Sequence, residues 1–153
     1  VDWRESFESL KANYLQPRRK ANVTIEVFYH TYRSAETKAL KEVYAPTRAH
    51  VTNVFKKNKL AAQQTSLLLA LKLVLRSGPK AFDEVLATRF DLLFLQPVTA
   101  WNLMRDAFNV PFADVGRPKK HCDVLWVFPG RAVPEIVKDL GRLLRHPPHR
   151  NCC

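Results

Sequence analysis

Residues 23–32 read VTIEVFYHTY, and this stretch decides the fold. Within it Val23, Ile25 and Val27 alternate with polar residues and lead into Phe28 and Tyr29. Alternation of apolar and polar side chains has the period of a β-strand, because successive strand residues point to opposite faces. The stretch therefore predicts a strand, and the patterns on either side of it predict the fold to which that strand belongs.

The N-terminal side of this strand has the pattern of an amphipathic helix. Asp2 followed by Glu5 fits a capping box, in which the first side chain accepts from the backbone of the first turn. Apolar and aromatic residues then recur at helical spacing, at Trp3, Phe7, Leu10 and Tyr14. Because proline lacks a backbone donor and restricts the residue before it, Pro17 is expected to end the helix near Gln16.

The C-terminal side of the strand alternates helical and extended patterns. Further strands are predicted at 49–55, 84–88 and 124–128, and helices between Ser34 and Pro46, at 60–76 and from Pro134 onward. Strands that alternate with helices are typical of a parallel sheet. We therefore predict an α/β fold with three layers, in which a mostly parallel sheet is covered by helices on both faces.

The order of the elements also predicts the domain organisation. Residues 1–145 are expected to form a single domain, and residues 146–153 a disordered tail. The chain opens on a helix, whereas a βαβ unit opens on a strand, so the sheet is expected to lack its first strand.

The composition is globular and strongly basic. The 153 residues include 25 Lys and Arg against 14 Asp and Glu, which gives a formal net charge of +11 and a pI near 9.9. Such a surface attracts polyanions, namely nucleic acid, anionic lipid headgroups or phosphorylated small molecules, although charge spread along a chain also serves solubility alone. The most apolar run, residues 67–75, is interrupted by Lys72 and is far shorter than the roughly 20 residues of a transmembrane helix.

Several function classes are disfavoured by motifs that the sequence lacks. GxGxxG, P-loop, GxSxG and HExxH motifs are absent, which argues against dinucleotide-binding proteins, NTPases, serine hydrolases and zinc peptidases. Cysteine occurs at positions 122, 152 and 153, without the spacing of zinc ligands or of a disulfide framework.

The first candidate site is the segment Thr88-Arg89-Phe90-Asp91, at the end of the predicted strand 84–88. Residues two apart in an extended segment point the same way, so Arg89 and Asp91 are expected to share a face. A guanidinium can bind a diphosphate through two parallel hydrogen bonds, and a carboxylate can hold a divalent cation that bridges the phosphates. The alternative is a structural ion pair between the two side chains.

Two further segments bring polar groups to strand ends. Asp123 precedes the predicted strand 124–128 and is a candidate catalytic base or metal ligand, the alternative being a hydrogen bond to a neighbouring loop. His30 and Thr31 would lie at the same sheet edge as Asp91, where open α/β sheets bind ligands. They are candidates for contacts to a nucleotide or an acceptor, and the alternative for His30 is a structural histidine.

Three basic clusters, at 18–20, 56–59 and 117–120, complete the set of candidate sites. Each has the composition of a solvated loop. Together they could follow a phosphate backbone, although no aromatic residues are interleaved with them as stacking platforms for bases.

Taken in order, these segments carry a resemblance to a known family. The set is ESLKAN (8–13), VFYHTY (27–32), YAP (44–46), QQTS (63–66), TRFDL (88–92), QP (96–97) and DVLWVFP (123–129). It resembles glycosyltransferase-like proteins of the GT-A type, the nucleotide-diphospho-sugar transferases. The resemblance implies a GT-A, Rossmann-like fold and transfer of a sugar from a nucleotide-sugar donor to a hydroxyl acceptor.

The resemblance also implies roles for individual residues. GT-A enzymes hold a manganese or magnesium ion on the donor diphosphate with a DxD motif, so Asp91 would be the metal-side carboxylate and Arg89 takes the place of the first acid. Arg89, His30 and Thr31 would contact the donor diphosphate, and Asp123 would act on the acceptor side. The rival function is a non-catalytic basic module that binds nucleic acid or another polyanion, and a third reading is an inactive fragment.

Overall fold

The computed structural model describes residues 2–53, 59–78, 82–109 and 125–145, with the backbone alone at 59–60. The helices are α1 (Trp3–Leu10), α2 (Gln16–Lys20), α3 (Thr37–Tyr44), α4 (Lys59–Leu75) and α5 (Val133–Arg145). The strands are β1 (Phe28–Tyr32), β2 (Arg48–Thr52), β3 (Glu84–Thr88) and β4 (Leu125–Pro129). A π-helical turn, Lys11–Leu15, joins α1 to α2, and 3₁₀ turns lie at Val98–Ala100 and Gly130–Ala132.

The chain divides into two compact units that differ in charge. The neutral unit comprises Val1–Glu26 and Phe82–Gly130 and has ten Lys and Arg against ten Asp and Glu. The basic unit comprises Val27–Ala81 and Arg131–Cys153 and has fifteen Lys and Arg against four Asp and Glu. The whole formal net charge of the protein therefore belongs to the basic unit.

In the basic unit, β1 and β2 form a parallel pair with Phe28 opposite Arg48. The crossover between them is α3, and its Tyr44 packs edge-on against Tyr29 with ring centroids 6.5 Å apart. The helix α4 packs against both strands, and the Tyr32 hydroxyl donates to a carbonyl of α4. Because Tyr29 and Tyr32 point to opposite faces of β1, α3 and α4 cover opposite faces of this small sheet.

The last helix of the basic unit is α5, which packs against α4. Apolar residues recur along one side of α5, at Val133, Ile136, Val137, Leu140 and Leu144. Of these, Val133 and Leu140 are buried, at 1% and 8% exposure. This apolar side faces the core of the unit, and the charged residues of α5 lie on the opposite side.

In the neutral unit, β3 and β4 form an antiparallel pair with Glu84 opposite Pro129. Leu125, Val127 and Phe128 of β4 are each 1% exposed and form the centre of this core. The ring of Phe108 stacks on that of Phe128, with centroids 5.3 Å apart. The Phe108 ring also lies 5.5 Å from that of Trp126, on the same face of β4 as Phe128.

The predicted fold class is wrong. The described chain has two separate two-stranded sheets, one parallel and one antiparallel, in place of one mostly parallel, Rossmann-like sheet in three layers. Parallel neighbours need a crossover of a dozen or more residues, usually a helix, and α3 supplies it between β1 and β2. Between β3 and β4 the described residues contain only the short turn Val98–Ala100, and these strands pair antiparallel. The expectation that the sheet lacks its first strand depended on the predicted sheet, so it no longer applies.

The remaining sequence expectations divide between confirmed elements and shifted ones. The strand at 84–88 is confirmed, and α4 lies within one residue of its predicted bounds at each end. The strand predicted from Val23 begins only at Phe28, because Val23 is 42% exposed and has no core to face. The single domain over 1–145 stays a prediction, and the tail 146–153 lies outside the described residues.

Pro17 does not end the first helix, contrary to expectation. Helical backbone continues through it to Lys20, and the π-helical turn lies directly before it. In that turn the backbone N–H of Gln16 donates to the carbonyl of Lys11, five residues back. A proline ring clashes with the carbonyl four residues before it, and a wider turn at that place makes room for the ring.

Candidate functional site

Arg89 and Asp91 contact each other directly after the end of β3. The Arg89 Nε donates to Oδ1 of Asp91 at 2.8 Å, and its Nη2 donates to Oδ2, so the contact is bidentate. The two side chains are 39% and 46% exposed. This is the geometry of an ion pair on the surface, with the guanidinium still reachable from solvent.

The contacts of Asp91 do not fit a divalent cation. Both of its carboxylate oxygens accept from the guanidinium, so a Mn²⁺ or Mg²⁺ ion bound there would meet the positive charge of Arg89. These ions also need several oxygen ligands, and the described residues contain no group of three His, Cys, Asp or Glu that could hold a metal.

His30 lies inside the basic unit, 6% exposed. Its Nε2 is 3.2 Å from Oγ1 of Thr52, and its ring lies 5.5 Å from that of His50, its neighbour in the parallel register. Its Nδ1 is buried and has no hydrogen-bond partner among the described residues. Burial first, and then the neighbouring His50, lower the pKa of His30 to about 4. The imidazole is therefore neutral at physiological pH and attracts no phosphate by charge.

Thr31, the neighbour of His30, is half-buried and its hydroxyl donates to the carbonyl of Tyr32 at 3.3 Å. The predicted site residues thus fall in different units: Arg89 and Asp91 in the neutral unit, His30 and Thr31 in the basic unit. Asp123 lies outside the described residues. Contact of Arg89, His30 and Thr31 with a donor diphosphate stays a prediction, and so does the acceptor-side role of Asp123.

A cluster that sequence reasoning did not find connects the first helical stretch of the neutral unit to β3. Arg18 Nη2 lies 2.6 Å from Oε1 of Glu84, and the Tyr14 hydroxyl donates to the same oxygen at 3.0 Å. The Arg18 guanidinium lies 5.5 Å from the centre of the Tyr14 ring. Burial, followed by the charge of Glu84, raises the pKa of Tyr14 well above its ordinary value. The sequence holds one signal for this cluster: Tyr14 and Arg18 are four residues apart on one helix face.

The charges of the basic unit are arranged differently. Three of its four acids pair with a cation on the same helix, one turn away: Glu42 with Lys38, Glu135 with Lys138, and Asp139 with Arg142. All six of these side chains are more than half exposed. A further set of exposed cations forms no ion pair with a described residue, and it consists of Arg33, Lys41, Arg48, Lys72, Arg76 and Arg145.

The cations of α5 form a line along one side of the helix. Lys138, Arg142 and Arg145 are spaced by four and three residues, which brings them to one face, and all three are exposed. We call these three residues the cationic stripe. It lies opposite the apolar side of α5 and extends over about 10 Å of helix, given the rise of each residue.

No helix in the described ranges combines the length and the apolar character needed to cross a bilayer. Comparison of the chain with models of known protein families, with curated proteins and with solved structures found no match.

Proposed function

We propose that the protein binds phosphate polyanions, nucleic acid foremost, through the exposed cations of its basic unit. The observation that supports this proposal is the partition of charge, with fifteen Lys and Arg against four Asp and Glu in one unit and a balance of ten against ten in the other. An excess of one sign on a compact surface raises the local potential and attracts a polyanion over distance.

The cations of the basic unit are available to such a ligand. The pairs on α3 and α5 are exposed, and exposed ion pairs contribute only about 0–1 kcal/mol each, so phosphates can replace the carboxylates. The unpaired cations Lys72 and Arg76 lie one turn apart near the end of α4, and Arg145 ends the cationic stripe. Binding through these groups would release counterions, so affinity would fall steeply as salt rises.

The same surface favours contacts to phosphates over contacts to bases. The large apolar side chains that the basic unit exposes in its described part are Val43 and Leu143, neither of them aromatic. Single-stranded nucleic acid is commonly held by stacking of bases on exposed aromatic rings. Without such rings the expected ligand is the backbone of a duplex, bound with little dependence on sequence.

Fluorescence anisotropy with two duplex DNAs of unrelated sequence tests this proposal over a range of salt concentrations. Wild-type protein is expected to bind both duplexes equally, with log K falling linearly with log salt. Alanine at all three positions of the cationic stripe should lower the magnitude of that slope by about 2 to 3, because each lost phosphate contact removes nearly one released ion.

The matched control removes three exposed cations of the neutral unit: Arg19→Ala, Lys20→Ala and Arg105→Ala in one chain. Both triple variants lower the net charge equally. Retained salt slope in the control and a lowered slope in the stripe variant support the proposal. Equal losses in both variants, or no binding by the wild type, would overturn it.

Sugar transfer is a second proposal, and it depends on Arg89. This side chain keeps 39% of its surface exposed while it pairs with Asp91, so a diphosphate could take the place of the carboxylate. Thermal unfolding with a panel of nucleotide diphosphates and UDP- or GDP-sugars tests it, with and without Mn²⁺. A stabilisation that Arg89→Ala abolishes and Arg105→Ala retains would support it. No stabilisation by any donor would contradict it.

A further inference from the structure

Residues 92–95 of the neutral unit, which follow the turn at Asp91, bond to a helix as a strand bonds to its neighbour. Ser6 Oγ donates to the carbonyl of Leu92 at 2.6 Å, and Asn13 Nδ2 donates to the carbonyl of Phe94 at 2.5 Å. The N–H of Phe94 donates to Oγ of Ser9 at 3.0 Å. Polar side chains of α1 and of the π-helical turn thus make the hydrogen bonds that the backbone of a neighbouring strand would make in a sheet.

Burial along this segment has the same period of two as its hydrogen bonds. Phe94 is 4% exposed, whereas Leu93 is 42% and Leu95 is 86% exposed. Leu92 and Phe94 bond to the helical side chains, and Leu93 and Leu95 do not. The buried side chain of Phe94 likewise lies between the exposed side chains of Leu93 and Leu95. Both periods are those of a β-strand, although no strand pairs with the segment in the described chain.

No described residue bonds to the outer edge of the segment. In an extended chain, the N–H and C=O of one residue point to the same side, and those of the next residue point to the other. The backbone groups of Leu93 and Leu95 therefore point away from the helix, and neither residue has a hydrogen-bond partner among the described residues. Open strand edges flanked by exposed apolar side chains are surfaces on which other strands add.

We propose that this edge pairs with the same segment of a second copy of the chain, antiparallel across a two-fold axis. The occupant must be extended to satisfy the open backbone groups and apolar to cover Leu93 and Leu95, and the segment itself meets both conditions. It is already held straight by Ser6, Ser9 and Asn13, so pairing orders little new backbone. An antiparallel pair of identical segments is self-complementary, as a two-fold dimer requires.

Charge also favours a second copy over a different partner. The neutral unit has no net charge to oppose the approach of its twin. Natural edge strands are commonly protected by an unbalanced charge, but the carboxylate of Asp91 at this edge is neutralised by Arg89. Because only two leucines per copy are covered, the dimer is expected to be weak and to form at high protein concentration.

Analytical ultracentrifugation over a concentration series, without nucleic acid, tests the proposal. The weight-average mass of the wild type should rise from 17.6 kDa toward that of two chains and level off there. Leu95→Lys should hold the protein as a monomer at every concentration, because a charged, solvated lysine replaces the apolar side chain to be covered and opposes strand addition at the edge. Met104→Lys is the matched control, since Met104 is 66% exposed in the same unit but outside the segment, and this variant should dimerise normally.

A second variant, Leu95→Pro, separates pairing from folding. Proline at this position removes an N–H that the monomer does not use, and it favours extended backbone at Phe94. The variant should keep the circular dichroism spectrum of the wild type and lose the dimer. A wild type that stays monomeric throughout would overturn the proposal, as would a dimer that survives Leu95→Lys or a mass that grows past two chains.

Discussion

The neutral unit contains one ion pair between distant parts of the sequence, Arg18 with Glu84, whereas the pairs described on α3 and α5 of the basic unit each lie within a single helix. Arg18 reaches Glu84 over 66 residues, and that contact fixes a helix to a strand. In the basic unit, Glu135 and Asp139 bond to cations one turn along α5. A long-range pair holds two elements together, while a local pair on a helix surface holds very little. The difference indicates that the Arg18–Glu84 pair serves the fold, whereas the exposed cations of the basic unit are available to a ligand.

The interiors of the two units differ as well. In the neutral unit the buried ring of Phe128 lies in an apolar core and stacks on Phe108. The sheet of the basic unit buries His30 against His50 and Thr52, with one ring nitrogen lacking a described partner. The stability of an apolar core does not depend on pH. A buried imidazole resists protonation, so the stability of the unit that contains it depends on pH. The comparison can therefore be tested by changes to each interior and to each pattern of charge.

The largest effect is expected from the core of the neutral unit. Phe128→Ala should lower the free energy of unfolding by about 3–5 kcal/mol, because it removes a side chain that is almost fully enclosed and leaves a cavity. Phe108→Ala removes the stacking partner, which is 46% exposed, and should cost clearly less. Urea denaturation of both variants measures the difference. Equal losses would contradict the burial of Phe128 beneath a partly exposed Phe108.

The next largest effect is a dependence of the stability of the basic unit on pH, which the apolar core of the neutral unit does not share. The folded pKa of His30, about 4, lies below the unfolded value of about 6.5, so the unfolded chain takes up the proton first. The stability that His30 contributes is fully present above about pH 6.5 and is lost as pH falls toward 4, by about 3 kcal/mol in total.

Urea denaturation of the wild type and of His30→Leu at both ends of this range isolates that effect. Leucine fills a similar space without a titrating group, so the variant should lose less stability on acidification than the wild type does. The carboxylates titrate in both proteins and cancel in the comparison. An identical loss in the two proteins would contradict the burial of a neutral His30.

The smallest effect compares an ion pair from each unit. Glu84→Gln should lower stability by about 1–2 kcal/mol, because it leaves Arg18 partly buried without its carboxylate. Asp139→Asn breaks an exposed pair on α5 and should change stability by less than about 0.5 kcal/mol. The midpoints of urea unfolding report both. A larger loss for Asp139→Asn would reverse the proposed difference between paired and available charge.

Local structure was predictable from the sequence, and the pairing of elements was not. The strand Glu84–Thr88 and the helix α4 were both predicted from patterns that lie within a single element. The same signals do not specify whether a strand pairs parallel or antiparallel, and β3 pairs antiparallel with β4. Pro17 shows a further limit, since a π-helical turn let the helix continue where a proline normally ends it.

For the candidate sites too, contacts within one segment were predictable and contacts between elements were not. Arg89 and Asp91 are two residues apart, so their contact was accessible to reasoning about one extended segment. Arg18 and Glu84 meet only because a helix and a strand pack together, and no spacing in the sequence records that contact. His30 was a candidate for ligand contacts at a sheet edge, with a structural histidine as the alternative, and the residues it contacts, His50 and Thr52, lie on β2, outside its own element.

Amide hydrogen exchange with and without duplex DNA tests most directly whether charge in the basic unit is reserved for a ligand. Added protection is predicted along α5 at the cationic stripe and near the end of α4, with the amides of β3 and β4 unchanged. Protection centred on β3 and the segment after it, or no change anywhere while DNA is bound, would contradict that assignment.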